Sequence, residues 1–308
     1  MKNLKNSKVL VTGANGFIGS HLTEKLVNLE ADVSVIIRKN INKGNIECVK
    51  DKIKIFESDL RDFDKIKNIV KKIQPEYIFH LAANVTVNRD LNELENSLDN
   101  IRITLNLLKS LDNYELFINT GTVEEYGNGK TPFREDQLPI PVSPYSASKI
   151  SITNYCKMLY QTHGLPITTV RLFLTYGPKQ KGNMLIPNLI TSALLKKDFK
   201  MTKGEQTREF NYIDDIVEGY IKVASSKKVV GEIINIGNGE EYQISEVVDK
   251  ILNIMGSPIK IDKSLPYRQG EAMHIFCDNS KLSGLGWSPK IDLDEGIRRT
   301  INWYKENI

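Results

Sequence analysis

The chain has 308 residues, 40% of them hydrophobic and 26% charged, and a formal net charge of +4 at pH 7. That length supports one large domain or two smaller ones, and lysines scattered among acids argue against a nucleic-acid surface while leaving room for a local basic pocket. No apolar run approaches membrane-spanning length, and Cys48, Cys156 and Cys277 are too few and too far apart for a disulfide framework or a metal site. A cytosolic protein with no membrane contact and no secretory leader is expected.

Val9, Leu10 and Val11 form an apolar run too short for a helix, as in a strand buried on both faces. Gly13, Gly16 and Gly19 follow at three-residue steps, and Phe17, Ile18, Leu22 and Leu26 then recur at helical spacing. A strand, a glycine turn and a helix in that order build a phosphate site. Glycines let the backbone approach a pyrophosphate, and the helix N-terminus offers free N–H groups.

Residues 33–37 read as a second strand, after which a dinucleotide fold senses the adenosine ribose. An acid there would bind the 2′-hydroxyl, whereas an arginine accommodates a 2′-phosphate. Ile37 takes the acid's place and Arg38 stands beside it, which favours NADP, with NAD as the alternative. Residues 52–56 are a third strand. Asp59 behind it reads either as a contact to the adenine amino group or as a cap for a helix over residues 63–73.

Residues 77–81 form a fourth strand running into Ala82 and Ala83, small enough for a cofactor to pass. His80, inside that apolar run, is expected to be a satisfied core histidine. Leu98, Ile101, Leu105 and Leu108 mark a helix, and residues 116–119 a fifth strand. Alternating strands and helices mean a parallel, doubly wound α/β sheet with ligands beyond the carboxyl ends of its strands. Residues 145–163 form a long helix and residues 167–172 a sixth strand. Beyond residue 176 the alternation loosens into what reads as a smaller lobe closing over the sheet edge. A further strand is expected at residues 232–236 and a last helix near residues 293–304.

Tyr145 and Lys149 lie four apart, on one face of their helix. A nearby ammonium, together with an oxidised nicotinamide ring, favours a phenolate. Such a phenolate can take the proton of a sugar hydroxyl as its carbon is oxidised. Thr122, at the fifth strand's end, can hydrogen-bond the same oxygen. Glu124 and Glu125 read either as chemistry or as a solvated strand end.

These motifs resemble those of the extended short-chain dehydrogenase/reductase family, the nucleotide-sugar epimerases, dehydratases and 4-ketosugar reductases. The resemblance rests on TGANGFIG at residues 12–19, HLAA at 80–83, Thr122 with Tyr126-Gly127, SPYSASK at 143–149, YGP at 176–178, GEQTREFNYIDD at 204–215 and GWSP at 286–289. It implies a Rossmann domain over residues 1–175 and a partly interleaved substrate lobe over 176–308, with about 208–238 returning to the first. It implies Thr122, Tyr145 and Lys149 as the catalytic group. Cofactor contacts would come from Gly13, Asn15, Gly16, Phe17, Ile18, Gly19, Arg38, Asp59, Leu60, Leu81, Ala82, Ala83, Tyr145 and Lys149.

Substrate contacts map to Thr122, Glu124, Leu174, Arg208 and Arg268, and a homodimer through two helices of the sheet domain is implied. Thr122-Val123-Glu124 resembles the Thr-x-Glu of certain dehydratases, in which the acid helps expel water across C5 and C6. A 4,6-dehydratase is therefore expected, with an NADPH-dependent 4-ketosugar reductase and a 4-epimerase as alternatives. Leu174 stands where the family commonly carries an asparagine that contacts the sugar diphosphate.

Overall fold

The alternation of apolar side chains along each central strand decides how the chain folds. The computed structural model describes residues 4–39, 43–86, 89–181, 184–268 and 270–307. Strands β1 (Lys8–Thr12), β2 (Asp32–Ile37), β3 (Lys54–Glu57), β4 (Tyr77–His80), β5 (Leu116–Thr122) and β6 (Ile167–Leu172) join a later strand, Ile233–Ile236, in one sheet. Reading across the sheet, Ile233–Ile236 is followed by β6, β5, β4, β1, β2 and β3. All these pairings are parallel, with Val9 opposite Val33 on one side and Tyr77 on the other.

Helices cover both faces, so both sets of alternating side chains are apolar. Val9, Val11, Val33, Val35, Phe79, Ile118 and Val170 face α1 (Phe17–Asn28) and a later helix, Ile213–Ala224. Leu10, Ile36, Ile78, Phe117 and Ile167 face α2 (Phe63–Ile73), α3 (Leu94–Ser110) and α4 (Pro144–His163). Each such buried side chain contributes roughly 1.5–3 kcal/mol, so two apolar layers hold the sheet. Strand order reverses between β1 and β4, which opens a crevice at their carboxyl ends.

Local signals explain the helix ends. Ser143 caps α4 in a capping box with Ser146, Pro144 occupies the first turn, and Gly164 closes the helix in the left-handed conformation. Asp62, not Asp59, caps α2, accepting from the Lys65 amide. Asp59 is one turn too early for that role and binds the Arg61 amide and guanidinium. Strand β5 runs three residues further than the apolar pattern suggests, because Thr120, Gly121 and Thr122 pair with β6 despite their polarity. A short helical segment at Gly44–Lys52 and a full helix at Ile244–Met255 were not expected from periodicity.

Beyond β6 the chain builds a three-stranded patch from Glu241–Gln243, Thr207–Glu209 and His274–Ile275. The helix Ile213–Ala224 and strand Ile233–Ile236 return to the large sheet. The GWSP and YIDD motifs meet each other: Trp287 Nε1 donates to the Asp215 carbonyl at 3.1 Å, and the Asp215 carboxylate accepts the Lys290 and Ile291 amides, each at 3.0 Å. They anchor the C-terminal segment rather than touch the crevice. Among the described residues no helix is long and apolar enough to cross a membrane.

Candidate active site

The glycine turn is built so tightly that side chains are excluded from it. Gly13 has φ +73°, and a Cβ there would lie 2.7 Å from the Ala82 amide nitrogen; a Cβ at Gly19 would overlap the Gly13 carbonyl. Gly16 caps α1 without a side-chain hydrogen bond, and no acid stands in the first turn. The amides of this helix N-terminus therefore face no competing anion of their own, which suits a pyrophosphate. Asn15, Phe17 and Ile18 lie half-buried around the turn, and the Asn15 carbonyl accepts from Asn45 Nδ2 at 3.0 Å.

At the neighbouring strand end, Leu81, Ala82 and Ala83 are half-buried beside the turn. His80 holds this junction. Its Nδ1 lies 2.8 Å from Thr12 Oγ1 and its Nε2 2.9 Å from Thr104 Oγ1. Thr12 Oγ1 also accepts from the Ala82 amide, and Thr104 Oγ1 donates to the Asn100 carbonyl. One direction satisfies the whole chain: Thr12 donates to Nδ1, and Nε2–H donates to Thr104. Burial pushes the His80 imidazole down to about 3, helped by Lys149, so the ring is neutral. Arg38 is exposed at the end of β2, half-buried Asp59 feels its charge after that of Arg61, and Leu60 is buried behind them.

Thr122, Tyr145 and Lys149 come together at the carboxyl end of β5. The Thr122 hydroxyl faces the Tyr145 phenol closely enough to lower its pKa. Lys149 Nζ lies 5.9 Å from the Tyr145 ring centroid and donates to the Thr120 carbonyl at 2.7 Å. Burial drives the phenol well above its usual range; the Glu125 and Glu124 carboxylates push the same way, and the Thr122 hydroxyl opposes them. Burial lowers Lys149 to about 8, against the Glu125 carboxylate and Cys156. The phenolate expected at Tyr145 joins the ammonium to an oxidised nicotinamide ring, and of the protein's own contributions burial is the largest. Desolvation outweighs the neighbouring charge, and the ammonium directs a hydrogen bond to backbone.

Glu124 and Glu125 are adjacent and have opposite environments. Glu124 is half-buried, and burial raises its carboxyl while Arg268, Arg208 and Arg89 draw it back. Glu125 is no solvated strand end, for its side chain is fully buried against Arg171 at 3.0 Å. Arg208 is buried in strand Thr207–Glu209, bound to the Thr207 carbonyl at 2.7 Å and to Glu271, whereas Arg268 is exposed. Arg89 was missed, because a lone arginine in a loop carries no periodic signal. Leu174 presents its carbonyl to the Asn211 amide at 2.8 Å and to Asn211 Nδ2 at 3.1 Å.

A doubly wound sheet with a glycine cradle at its switch point, facing a buried Thr–Tyr–Lys group, defines a nicotinamide-dependent enzyme of the short-chain dehydrogenase/reductase class. The sequence matches the NAD dependent epimerase/dehydratase family over residues 9–237, and the chain belongs to that family. It is 32% identical to a UDP-glucuronate 4-epimerase of Thermodesulfobacterium geofontis, covering 97% of this chain and 96% of that one. It is 31% identical to a dTDP-glucose 4,6-dehydratase of Haemophilus influenzae, over 97% and 98% of the two chains. The solved UDP-glucuronic acid 4-epimerase of Bacillus cereus, in complex with UDP-glucuronic acid and NAD, superposes with a TM-score of 0.88 at 32% identity, covering 97% of this chain and 99% of that one. The protein is an extended short-chain dehydrogenase/reductase, of the family that holds these nucleotide-sugar epimerases and dehydratases.

Proposed function

We propose that the chain is a nucleotide-sugar 4,6-dehydratase, in which oxidation at C4 of a nucleotide-linked hexose enables loss of water across C5 and C6. The observation that carries this reading is Glu124. Among the described residues it is the carboxyl beside Tyr145 that is both half-open and raised by burial, so it can hold a proton and release it, as elimination of a hydroxyl requires. A nicotinamide held in the cradle would supply the two-electron oxidation of C4 and return the hydride to C6 once water has left. Tyr145 takes the C4 hydroxyl proton, Glu124 passes the C5 proton to the departing C6 hydroxyl, and a proton returns to C5 as C6 is reduced; Thr122 orients the C4 hydroxyl, and Lys149 stays fixed by the Thr120 carbonyl. Arg208 and Arg268 would bind the diphosphate, with a guanidinium's forked donors suited to paired oxygens. Leu174 would line the sugar pocket without donating.

The test is Glu124→Gln, which keeps the shape and removes the proton. Water loss should fall by roughly a hundred- to ten-thousand-fold; unchanged water loss contradicts the role. A second reading, 4-epimerase, is favoured by one feature. Glu125 is locked in an ion pair, leaving a single available acid, and epimerisation needs only Thr122 and Tyr145.

The cofactor reading follows Arg38, which supports NADP, while the solved relatives whose cofactor is stated hold NAD. A homodimer through α3 and α4 is supported by Leu98, Tyr155 and Met158, which are 52%, 42% and 40% exposed on those two helices. Light scattering should give twice the chain mass for the protein and the single mass for a Leu98→Asp, Met158→Asp variant. Residues 1–175 with about 208–238 would form the cofactor domain and the remainder the substrate lobe.

A further inference from the structure

Glu125 is chemically the most constrained residue near the reacting group, and the reaction above leaves it without a task. Its Oε1 accepts the Thr122 amide at 3.0 Å. Its Oε2 accepts from the Thr153 hydroxyl at 2.8 Å, from Arg171 Nε at 3.1 Å and from Arg171 Nη2 at 3.0 Å. Thr122 ends β5, Arg171 belongs to β6, and Thr153 lies one helical turn beyond Lys149 on α4. One carboxylate thus ties together the three elements that place the catalytic group.

The surroundings are shaped for that carboxylate. Gly121 is the residue that leaves room for it, since a Cβ there would overlap Glu125 Oε1. The Arg171 guanidinium lies 4.4 Å from the centroid of the Tyr126 ring, which holds the cation in place from its other side. A buried carboxylate costs several kcal/mol unless it is paired and hydrogen-bonded, and here four donor groups satisfy it.

We propose that Glu125 is a positioning residue for the Thr122–Tyr145–Lys149 group, locking Thr122 to the helix that carries Tyr145 and Lys149 and placing a fixed negative charge beside them. This rests on the nucleotide-sugar reading for its consequence in turnover, but not for the charge itself. The charged and titratable groups around Lys149 are Glu125 from the turn after β5, Cys156 and Tyr145 from its own helix, and His80 from β4. Those around Tyr145 are Lys149 from its own helix, Glu124, Glu125 and, from the helix Ile213–Ala224, Tyr220. Glu125 holds Lys149 up against its desolvation and the Tyr145 proton on. Without it, both groups release their protons at lower pH.

The experiment is a titration of the protein labelled with carbon-13 at lysine Cε, with the Lys149 signal assigned by Lys149→Met. In Glu125→Gln the Lys149 midpoint should move below its value of about 8, and the pH profile of nucleotide-sugar turnover should shift the same way. Because Glu125→Gln leaves Arg171 buried and uncompensated, Glu125→Gln, Arg171→Met is measured beside it; that variant removes both charges and should show the same direction of shift. An unmoved Lys149 midpoint in the folded variants overturns the proposal. If the unmodified protein turns over no nucleotide sugar, the reaction assigned above fails, while the titration still decides the role of Glu125.

Discussion

Lys149 reaches back from α4 to hydrogen-bond the carbonyl of Thr120 at 2.7 Å, two residues before Thr122 on β5. The same threonine is held from the other side by its own hydroxyl, 2.7 Å from the Tyr220 hydroxyl of the helix Ile213–Ala224. The ammonium is therefore fixed to the strand that carries Thr122. Tyr145→Phe should remove the proton acceptor and abolish turnover of any substrate. Lys149→Met should lower turnover by roughly a hundred- to ten-thousand-fold with little change in thermal midpoint. Full activity in Tyr145→Phe would contradict the mechanism.

His80 makes stability depend on acid. Its folded value of about 3 lies below the ordinary 6.5, so between those values the unfolded chain binds a proton that the folded chain refuses. Stability contributed by the neutral ring is present above about 6.5 and is lost as pH falls toward 3. Chemical denaturation should show the protein losing up to roughly 4 kcal/mol relative to His80→Gln across that window. A pH-independent difference would show that the ring protonates in place.

Cofactor preference is predicted at Arg38. Arg38→Glu places an acid where a 2′-hydroxyl would be bound and a 2′-phosphate repelled. Affinity for NADP should fall at least tenfold while NAD is retained or improved, read by fluorescence titration of each nucleotide. Equal weakening of both would assign Arg38 to the strand end alone.

The glycine cradle predicts a different kind of loss. At Gly19 a Cβ would overlap the backbone of Gly13, and backbone cannot yield as a flexible side chain can. Gly19→Ala should cost about 1–3 kcal/mol through overpacking and abolish detectable dinucleotide binding, measured by calorimetry on the folded fraction.

Much of this architecture is written in short-range pattern. The strand–glycine–helix order, the Tyr145/Lys149 spacing and the apolar alternation in β1 and β4 follow from local chemistry, and the sheet puts them where those patterns imply. The missed features depend on partners distant in the chain. Glu125 looks like surface until Arg171, 46 residues away, is folded against it. Arg89 acquires meaning only where it converges on Glu124 beside Arg268 and Arg208. The extension of β5 through Thr120 and Thr122 depends on pairing with β6, which overrides the local polarity. The phenol's true environment was also hidden, because the spacing shows Lys149 nearby but not how thoroughly both groups are desolvated.

The most direct test of the dehydratase reading is mass spectrometry of a panel of nucleotide hexoses incubated with the purified protein. Loss of one water from a member of the panel, abolished by Tyr145→Phe and by Glu124→Gln, is the predicted result. A product of unchanged mass that separates chromatographically from its substrate, formed equally well by Glu124→Gln, would contradict it and identify an epimerase.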